Sequence, residues 1–299
     1  MKQKTIKQAF SFDGKGLHTG AKVHATFLPA SQNMGICLRR TDLEGRPCFE
    51  ALAKYVSATE RSTGLANGEW KVSTIEHALS ALYAMGITNC IIELDAPEMP
   101  ILDGSATPFV EAIRQVGIEE QEAEAKTLII KEPIKYEAKN GSTYIIEPAD
   151  QEDIMVYISF PGNVLHNQSA KLHDLREYPE TIAAARTFCF VREVAYLLHK
   201  GLIRGGDLQN ALVIYEQPIP QDMMDILTQA LGQPRQNADK LGYLSPLKFP
   251  NEPARHKLLD LLGDFALMGV RLQARITASR PGHGANTECV RHLVERFEL

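Results

Sequence analysis

The sequence predicts an α+β fold composed of two similar domains, each a sheet with helices on one face. Two observations predict it. The chain has 299 residues, about twice the roughly 150 residues of one typical domain. Both halves also end in the same order of elements, namely a helix, a short turn, a strand, a glycine-rich turn and a second helix. We place the domains at 1–125 and 126–299. A cleft between two such domains is a usual position for a ligand.

In the first half, short runs rich in β-branched and aromatic residues predict strands, and runs with helical periodicity predict helices. The strands are predicted over 5–12, 22–28, 35–40 and 89–95, and the helices over 72–86 and 107–117. Gly86 ends the first helix, and Pro108 suits the first turn of the second. The acidic run 118–126 is interpreted as a strandless linker.

The second half repeats this construction. The strands are predicted over 127–137, 142–148, 153–160, 211–216 and 271–279, and the helices over 191–201, 253–269 and 287–297. The helix at 253–269 is amphipathic, because its leucines and Phe265 recur on one side at helical spacing.

Composition and charge exclude several classes of protein. A net charge of -5 gives no basic surface for nucleic acid. Nothing approaches the roughly 18 consecutive apolar residues of a membrane span. The first residues lack the apolar core of a signal peptide, so we expect a cytoplasmic protein without an integral membrane segment. The five cysteines include no C-x-x-C pair, so any metal would be held by histidine and carboxylate.

The segment "RHKLLDLLGD" places His256, Asp260 and Asp264 four residues apart, on one stripe of the predicted helix. Residues at positions i and i+4 of a helix can bind one metal ion, as they do in H-E-x-x-H zinc sites. An H-x-x-x-D pair alone is a weak indication, because a solvated outer face produces the same spacing.

In "STIEHALSAL", Glu76 directly precedes His77, and two interpretations remain open. Ser73 and Glu76 fit a capping box, with His77 an ordinary residue of the first turn. Alternatively, His77 is a third metal ligand and Glu76 stands beside the metal as a general base. Both interpretations can hold, because one carboxylate has two oxygens.

His283 lies in "RPGHGAN", a glycine-flanked turn predicted between a strand and a helix. Such a turn readily presents a side chain to a cleft. If Asp264 reaches His283, the pair orients the imidazole and favours its protonated form. The alternative is an exposed loop histidine. His18, in "GKGLHTG", is a further candidate, although this segment lacks the spacing of a nucleotide-binding fingerprint.

Together these segments resemble one enzyme family, the zinc-dependent UDP-3-O-acyl-N-acetylglucosamine deacetylases of lipid A synthesis. The segments that carry the resemblance are "GKGLHTG", "ATERSTGL", "STIEHALSALYAMGITNCIIELDAPEMPILDGSATPFVEAI", "AAARTFCFVREVAYL", "EPARHKLLDLLGD" and "PGH", and they span nearly the whole chain.

The resemblance implies two two-layer α/β sandwich domains packed together, each with a small insert, and an active site at the cleft between them. The second insert falls near 190–216 and helps to form a channel for a fatty acyl chain, where Val194, Leu197 and Leu198 either line the channel or simply pack. Asp207 and Gln209 depart from the residues that the family often has there. The segments also resemble members fused to an acyl-carrier-protein dehydratase, so a longer natural chain is one expectation.

For the metal, the resemblance implies a Zn²⁺ ion held by His77, His256 and Asp260, with one position left for water. Iron can compete for such a site. Glu76 would take the proton of that water as general base. The reaction would hydrolyse the N-acetyl group of UDP-3-O-(3-hydroxyacyl)-N-acetylglucosamine and release acetate.

Other residues receive roles by the same resemblance. Thr187 and His283 would stabilise the negative charge that develops on the acetyl oxygen, with Asp264 keeping His283 cationic. Whether Glu76 or His283 protonates the departing amine stays open.

Three more residues are expected to contact the substrate or to orient a metal ligand. Lys257 is expected to bind the substrate diphosphate, and Phe188 either stacks on a sugar or base or packs internally. Asp103 is expected to orient a ligand imidazole.

Two other functions are compatible with the motifs. One is a zinc amidohydrolase that acts on another N-acetylated sugar nucleotide. The other is a non-catalytic module in which zinc joins two domains. Structural zinc sites are usually closed by four protein ligands, often cysteines, so the three ligands found here favour an enzyme.

Overall fold

A computed structural model describes residues 1–162, 164–194, 202–230, 234–235, 237 and 241–299. Within these ranges helices and several sheets are mixed, which confirms the predicted α+β class. No helix in these ranges is both long enough and apolar enough to cross a bilayer.

The strands are β1 (Lys2–Ile6), β2 (Phe10–Lys15), β3 (Lys22–Pro29), β4 (Ile36–Arg40), β5 (Cys48–Glu50), β6 (Val56–Ala58), β7 (Gly64–Asn67), β8 (Trp70–Val72), β9 (Cys90–Leu94), β10 (Ile118–Glu124), β11 (Thr127–Ile129), β12 (Ile134–Glu137), β13 (Thr143–Glu147), β14 (Asp153–Ile158), β15 (Gln168–Leu172), β16 (Phe188–Phe190), β17 (Leu212–Tyr215), β18 (Gly242–Tyr243), β19 (Arg271–Gln273) and β20 (Arg275–Ser279). The α-helices are α1 (Glu76–Ala84), α2 (Thr107–Val116), α3 (Tyr178–Thr181), α4 (Gln221–Ala230), α5 (Glu252–Phe265) and α6 (His283–Phe297).

The two halves contain five-stranded sheets with the same topology. The strand order is β2-β3-β9-β4-β5 in the first half and β12-β13-β20-β14-β15 in the second. In each sheet the strand that lies between two helices in sequence occupies the centre, and it is parallel to one neighbour, β4 or β14, and antiparallel to the other. The similar order of elements predicted for the two halves is therefore confirmed.

Helices from the two halves pack against each other, and this contact positions the site. On α2, the Phe109 ring lies 5.4 Å from Phe12 and 5.7 Å from Phe27 of the first sheet. On α5, four buried leucines form the apolar stripe that the sequence predicts. Extensive contact joins α1 to α5. A Cβ atom at Gly263 would lie 2.1 Å from the Glu76 carbonyl oxygen, so only glycine permits this approach.

The predicted capping box at the start of α1 is wrong. The helix begins at Glu76, and the preceding residue, Ile75, is its N-cap. Ser73 is instead held by backbone hydrogen bonds to Pro97 and Met99, while its hydroxyl donates to the Pro97 carbonyl at 3.3 Å. This extended pairing removes Ser73 from the helix, so Glu76 is free of a capping role.

The acidic run predicted as a linker is also different in the structure, because residues 118–124 form β10, which pairs antiparallel with β1. Lysines of β1 oppose glutamates of β10, with Lys2 across from Glu124 and Lys4 across from Glu120. The Lys2 Nζ lies 3.3 Å from Glu124 Oε1. Complementary charge on the partner strand therefore allows an acidic run to form a strand.

Several predicted boundaries shift. The runs 5–12, 127–137 and 271–279 each divide between two strands. Helix α6 begins at His283, so this histidine opens a helix instead of lying in the preceding turn. Of the residues predicted for the acyl channel, Val194 is buried, whereas Leu197 and Leu198 lie outside the described residues.

Candidate metal centre and active site

Three predicted metal ligands converge at the contact between α1 and α5. His77 is the second residue of α1, and His256 and Asp260 lie one turn apart on α5. Asp260 Oδ1 lies 3.3 Å from His256 Nε2 and 3.9 Å from His77 Nε2. One ligand atom from each residue lies within 4.8 Å of the others. The three residues can therefore hold one divalent metal ion.

The geometry of this group fits a tetrahedral metal with one open position. Ligand atoms about 2.0–2.1 Å from a tetrahedral zinc ion are about 3.3 Å apart. The His256 Nδ1 lies 3.0 Å from the Ala185 carbonyl oxygen, which turns Nε2 towards the site. Asp260 Oδ1 is buried and has no hydrogen-bond partner among the described residues. A buried carboxylate oxygen without a partner is unfavourable, and a metal ion would satisfy it.

The protonation states also suit metal ligands. Burial, followed by the neighbouring His256, lowers the pKa of His77 to about 3. Burial lowers the pKa of His256 as well. For Asp260 burial acts to raise the pKa, but His256 and Lys257 hold it well below its usual range. Neutral imidazoles and an ionised carboxylate are the forms that bind metals.

Glu76 lies beside this group in the buried site. Its Oε2 accepts a hydrogen bond from the Thr63 amide at 3.1 Å, and its Oε1 lies 4.0 Å from His283 Nε2. Glu76, Asp260 and His283 also have ligand-type atoms within 4.8 Å of one another. Burial raises the pKa of Glu76 to about 7. A carboxylate with such a pKa can accept a proton near neutral pH.

The predicted pairing of His283 with Asp264 is present in the structure. The His283 Nδ1 lies 3.1 Å from Asp264 Oδ2, which also accepts a hydrogen bond from Asn286 Nδ2 at 2.8 Å. Burial lowers the pKa of His283, but Asp264, Asp260 and Glu76 together raise it to about 9. The imidazole is therefore cationic at neutral pH.

Lys257 and Phe188 lie at the edge of the site. The Lys257 ammonium donates to Asp260 Oδ2 at 2.7 Å and lies 5.3 Å from the Phe188 ring centroid. The Phe188 ring is 6.3 Å from the His256 ring. Thr187 lies in sequence between Ala185 and Phe188, and both of these residues lie next to the His256 ring.

Asp103 does not orient a ligand imidazole. Its carboxylate accepts hydrogen bonds from the Ser105 amide and hydroxyl at 3.0 Å and 2.7 Å, and Lys248 Nζ lies 3.4 Å away. Asp103 therefore stabilises the turn before α2, where "DGS" is a local turn sequence. The Ala185 carbonyl orients His256 instead.

A small cavity of about 50 Å³ adjoins the site, and Thr187 and Phe188 form part of its wall. His18, Arg61, Val194 and Asp207 also line it. His18 is 8% exposed, and neither ring nitrogen has a hydrogen-bond partner of standard geometry among the described residues. Its sequence segment was weak as a motif, but the fold places its polar atoms at the cavity.

Sequence reasoning assigned no role to Thr63 or to the Ala185 carbonyl. Thr63 lies in "ATERSTGL" and Ala185 in "AAARTFCF", two segments that contributed only to the family resemblance. A backbone carbonyl has no signature in a sequence. Both positions become visible as site residues only through the packing of the two halves.

Comparison with known families gives one match over most of the chain. A family model described as UDP-3-O-acyl N-acetylglycosamine deacetylase matches residues 3–226 and 236–295. The matched ranges contain every residue of the site described above.

Individual relatives agree with this match. The chain is 50% identical over 293 residues to a protein of Porphyromonas gingivalis named bifunctional enzyme LpxC/FabZ, an alignment that covers 97% of this chain and 63% of that protein. It is 47% identical over 302 residues to a protein of the same name from Bacteroides thetaiotaomicron, covering 100% of this chain and 66% of that protein. A Syntrophus aciditrophicus protein named UDP-3-O-acyl-N-acetylglucosamine deacetylase is 37% identical over 298 residues, covering 99% and 87% respectively. The chain thus spans slightly less than two thirds of the two bifunctional relatives.

Proposed function

Because the chain belongs to the UDP-3-O-acyl N-acetylglycosamine deacetylase family, we propose that it is a zinc-dependent amidohydrolase of lipid A biosynthesis. In this proposal it removes the N-acetyl group of UDP-3-O-(3-hydroxyacyl)-N-acetylglucosamine and releases acetate. The substrate is a nucleotide sugar, so the proposed compartment is the cytoplasm.

One observation carries the proposal. Two imidazoles and a carboxylate from helices of opposite halves meet within 4.8 Å, and Glu76 lies beside them. Three protein ligands leave room for water, which is the arrangement of catalytic zinc sites, whereas structural zinc sites usually have four protein ligands. A non-catalytic zinc that only joins the two halves would not require a buried glutamate next to the open position.

When bound, zinc supplies Lewis acidity, which makes water acidic enough to lose a proton near neutral pH and stabilises negative charge on a carbonyl oxygen. His77, His256 and Asp260 would hold the ion. Glu76 accepts the proton from the attacking water, because its Oε1 faces the same space as His283 Nε2, 4.0 Å away.

The cationic His283 and the Thr187 hydroxyl donate hydrogen bonds to the acetyl oxygen as it gains negative charge. Asp264 contributes through His283, because it accepts the Nδ1 proton and so turns Nε2 towards the substrate. The amine then leaves with a proton from Glu76 or His283, since both are within reach of the same space.

Substrate contacts follow from the edge of the site. Lys257 is 18% exposed at its side chain and binds the diphosphate, while Phe188 offers an aromatic face to the sugar or base. The cavity with His18 and Val194 continues towards the predicted insert, where the acyl chain would lie.

The assay that tests this function compares two substrates under the same conditions. We expect acetate release from the 3-O-acylated UDP-N-acetylglucosamine at a kcat/KM at least about 100-fold above that for UDP-N-acetylglucosamine, because burial of an acyl chain contributes about 0.8 kcal/mol for each CH₂ group. Equal rates on both would indicate an amidohydrolase for another N-acetylated sugar nucleotide. Absence of acetate release from either would contradict the proposal.

We also propose that in its natural setting the chain works beside an acyl-carrier-protein dehydratase. This proposal rests on two relatives, 50% and 47% identical to the chain, that are named bifunctional. The alignments cover 63% and 66% of these relatives, so each has a further part that this chain does not match. The intact mass of the protein isolated from its source tests it, because a fused dehydratase would raise the mass well above the 33.2 kDa of this chain. A mass near 33 kDa would contradict the fusion.

A further inference from the structure

Thr63 contacts two carboxylates of the site, Glu76 and Asp264, although no role has been given to it. Its side chain and backbone are fully buried, at 0% exposure. Its amide donates to Glu76 Oε2 at 3.1 Å, and its hydroxyl oxygen lies 2.5 Å from Asp264 Oδ1. The same oxygen lies 3.2 Å from His283 Nδ1. Thr63 therefore contacts Glu76, the proposed base. It also contacts His283, the proposed hydrogen-bond donor to the acetyl oxygen, and Asp264, the partner of His283.

The direction of each hydrogen bond around Thr63 can be assigned. A hydroxyl has one proton, and a carboxylate only accepts, so Thr63 donates to Asp264. Its oxygen can then only accept from His283 Nδ1, which must carry a proton. The Nδ1 proton is thus shared by two acceptors, Asp264 Oδ2 and the Thr63 oxygen. This fixes the ring so that Nε2 faces Glu76.

Thr63 also connects the two halves. It immediately precedes β7, which is anchored to β8, while Asp264 lies in the last turn of α5 and His283 begins α6. The hydrogen bond from Thr63 to Asp264 therefore joins residues 201 positions apart in sequence. Because the strand that follows it is anchored, Thr63 can hold at a fixed separation the two carboxylates that its amide and its hydroxyl contact.

We propose that Thr63 is a positioning residue that sets the distance and orientation between Glu76 and the Asp264–His283 pair. The role of these groups in hydrolysis rests on the proposed function. The effect of Thr63 on the geometry of His283 does not rest on that function. The effect on activity and the effect on geometry are therefore tested separately.

The activity test uses Thr63→Val, which keeps the shape but removes the hydroxyl, and Thr63→Ser, which keeps the hydroxyl. Partners that orient a metal-bound imidazole typically contribute about 10–100-fold to activity, and we expect an effect of the same order for the orientation of His283. We expect Thr63→Val to lower kcat about 10–100-fold, with KM within about two-fold and zinc content unchanged, and Thr63→Ser to restore kcat to within a few-fold. Thr5→Val is the matched control, because Thr5 is also buried and its hydroxyl oxygen accepts a hydrogen bond from the Ala30 amide at 3.0 Å.

A double substitution separates positioning from general destabilisation. In an Asp264→Asn background the hydroxyl has lost its charged partner, so Thr63→Val should lower kcat by much less than it does in the wild type. Equal losses in the two backgrounds would mean that Thr63 acts independently of Asp264 and would overturn the proposal.

A second readout does not depend on turnover. In ¹⁵N-labelled protein, the Nδ1 proton of His283, assigned by its disappearance in His283→Gln, should exchange with water slowly in the wild type and in Thr63→Ser. We expect exchange at least about ten-fold faster in Thr63→Val, because one of its two acceptors is gone. Unchanged exchange in Thr63→Val overturns the inference whether or not the wild type releases acetate. If exchange is faster in Thr63→Val but the wild type releases no acetate, the positioning role stands and only the proposed function is refuted.

Discussion

Asp260 shows at the scale of one residue how a side chain is held for a ligand. Its Oδ2 is bound by Lys257, but its Oδ1 faces two imidazole nitrogens and has no hydrogen-bond partner in the described part of the chain. The imidazoles are neutral, because burial lowers the pKa of both. A neutral nitrogen lone pair and a carboxylate oxygen repel each other at 3.3 Å unless a cation lies between them.

Glu76 gives the first prediction at this scale. Glu76→Gln should keep the zinc content of the wild type, because Glu76 is not among the three ligands, yet lower kcat by about 10²–10⁴-fold through loss of the general base. Zinc analysis and acetate release on the same samples measure the two effects. Near-normal turnover in Glu76→Gln would exclude Glu76 as the base.

Individual residues also show which contacts of the site can be predicted from the sequence and which cannot. The i, i+4 spacing of His256 and Asp260 on a helix was readable from the sequence alone. The contact between Thr63 and Asp264 was not, because it joins residues 201 positions apart through the packing of separate elements. The position of the His18 side chain at the cavity is equally a product of tertiary structure.

At the scale of elements, the close packing of α1 on α5 brings the ligands together. Gly263 makes it possible, because any Cβ there would collide with the Glu76 carbonyl oxygen at 2.1 Å. The neighbours are backbone atoms of a helix and cannot rotate away. The separation of His77 from His256 thus depends on a position that has no side chain.

Gly263→Ala therefore tests this packing. Pushing α1 away from α5 should lower the free energy of unfolding by about 1–3 kcal/mol, although alanine favours a helix. Zinc affinity should fall as well, because the ligands lie on the two helices. Urea unfolding and zinc titration measure the two effects.

Gly284→Ala is the stability control, since the added Cβ there would lie 3.3 Å from Thr59 Oγ1, a close contact that rotation of this side chain relieves. Wild-type stability and zinc affinity in Gly263→Ala would contradict the account of the contact.

Elements whose apolar residues recur at regular spacing were predicted well. Segments whose structure depends on hydrogen-bonded pairing with a distant strand were not. The leucines of α5 define its length to within a few residues. β10 was missed, because its glutamates look like a solvated linker until lysines of β1 are placed opposite them. Ser73 fits a helix cap locally, but pairing with residues 97–99 overrides the local preference. The division near residue 125 stays a prediction, with β10 paired in the first half and β11 in the second.

At the scale of the whole molecule, a buried polar contact joins the halves on the far end of α1. The Tyr83 hydroxyl donates to Glu152 Oε1 at 2.9 Å and accepts from the Leu272 amide at 3.0 Å. Arg271 Nη2 lies 3.7 Å from Glu152 Oε2. Burial raises the pKa of Glu152 to about 7, although Arg271 and Tyr83 oppose the rise.

This contact predicts how stability depends on pH. In the unfolded chain Glu152 loses its proton near pH 4.5, whereas in the folded protein it keeps the proton to about pH 7. Because the unfolded state binds fewer protons between these values, the folded state loses stability as pH rises through this window. The loss is at most about 3 kcal/mol, at about 1.4 kcal/mol per pH unit.

Glu152→Gln removes the titrating group and keeps the shape. The free energy of unfolding of the wild type minus that of Glu152→Gln, at equal metal content, should fall by about 1–3 kcal/mol from pH 4.5 to pH 7.5. Urea unfolding at four or five pH values measures this difference. A difference that stays constant or rises with pH would contradict the raised pKa.

The central claim is that histidines from opposite halves share one metal ion, and zinc stoichiometry after dialysis tests it most directly. Wild type and His24→Ala, which alters an exposed histidine on β3, should each retain one zinc per chain. His77→Ala and His256→Ala should each lose most of it while remaining folded by circular dichroism. Full zinc content in either variant would show that the two imidazoles do not hold a common ion, and the proposed hydrolysis would lose its basis.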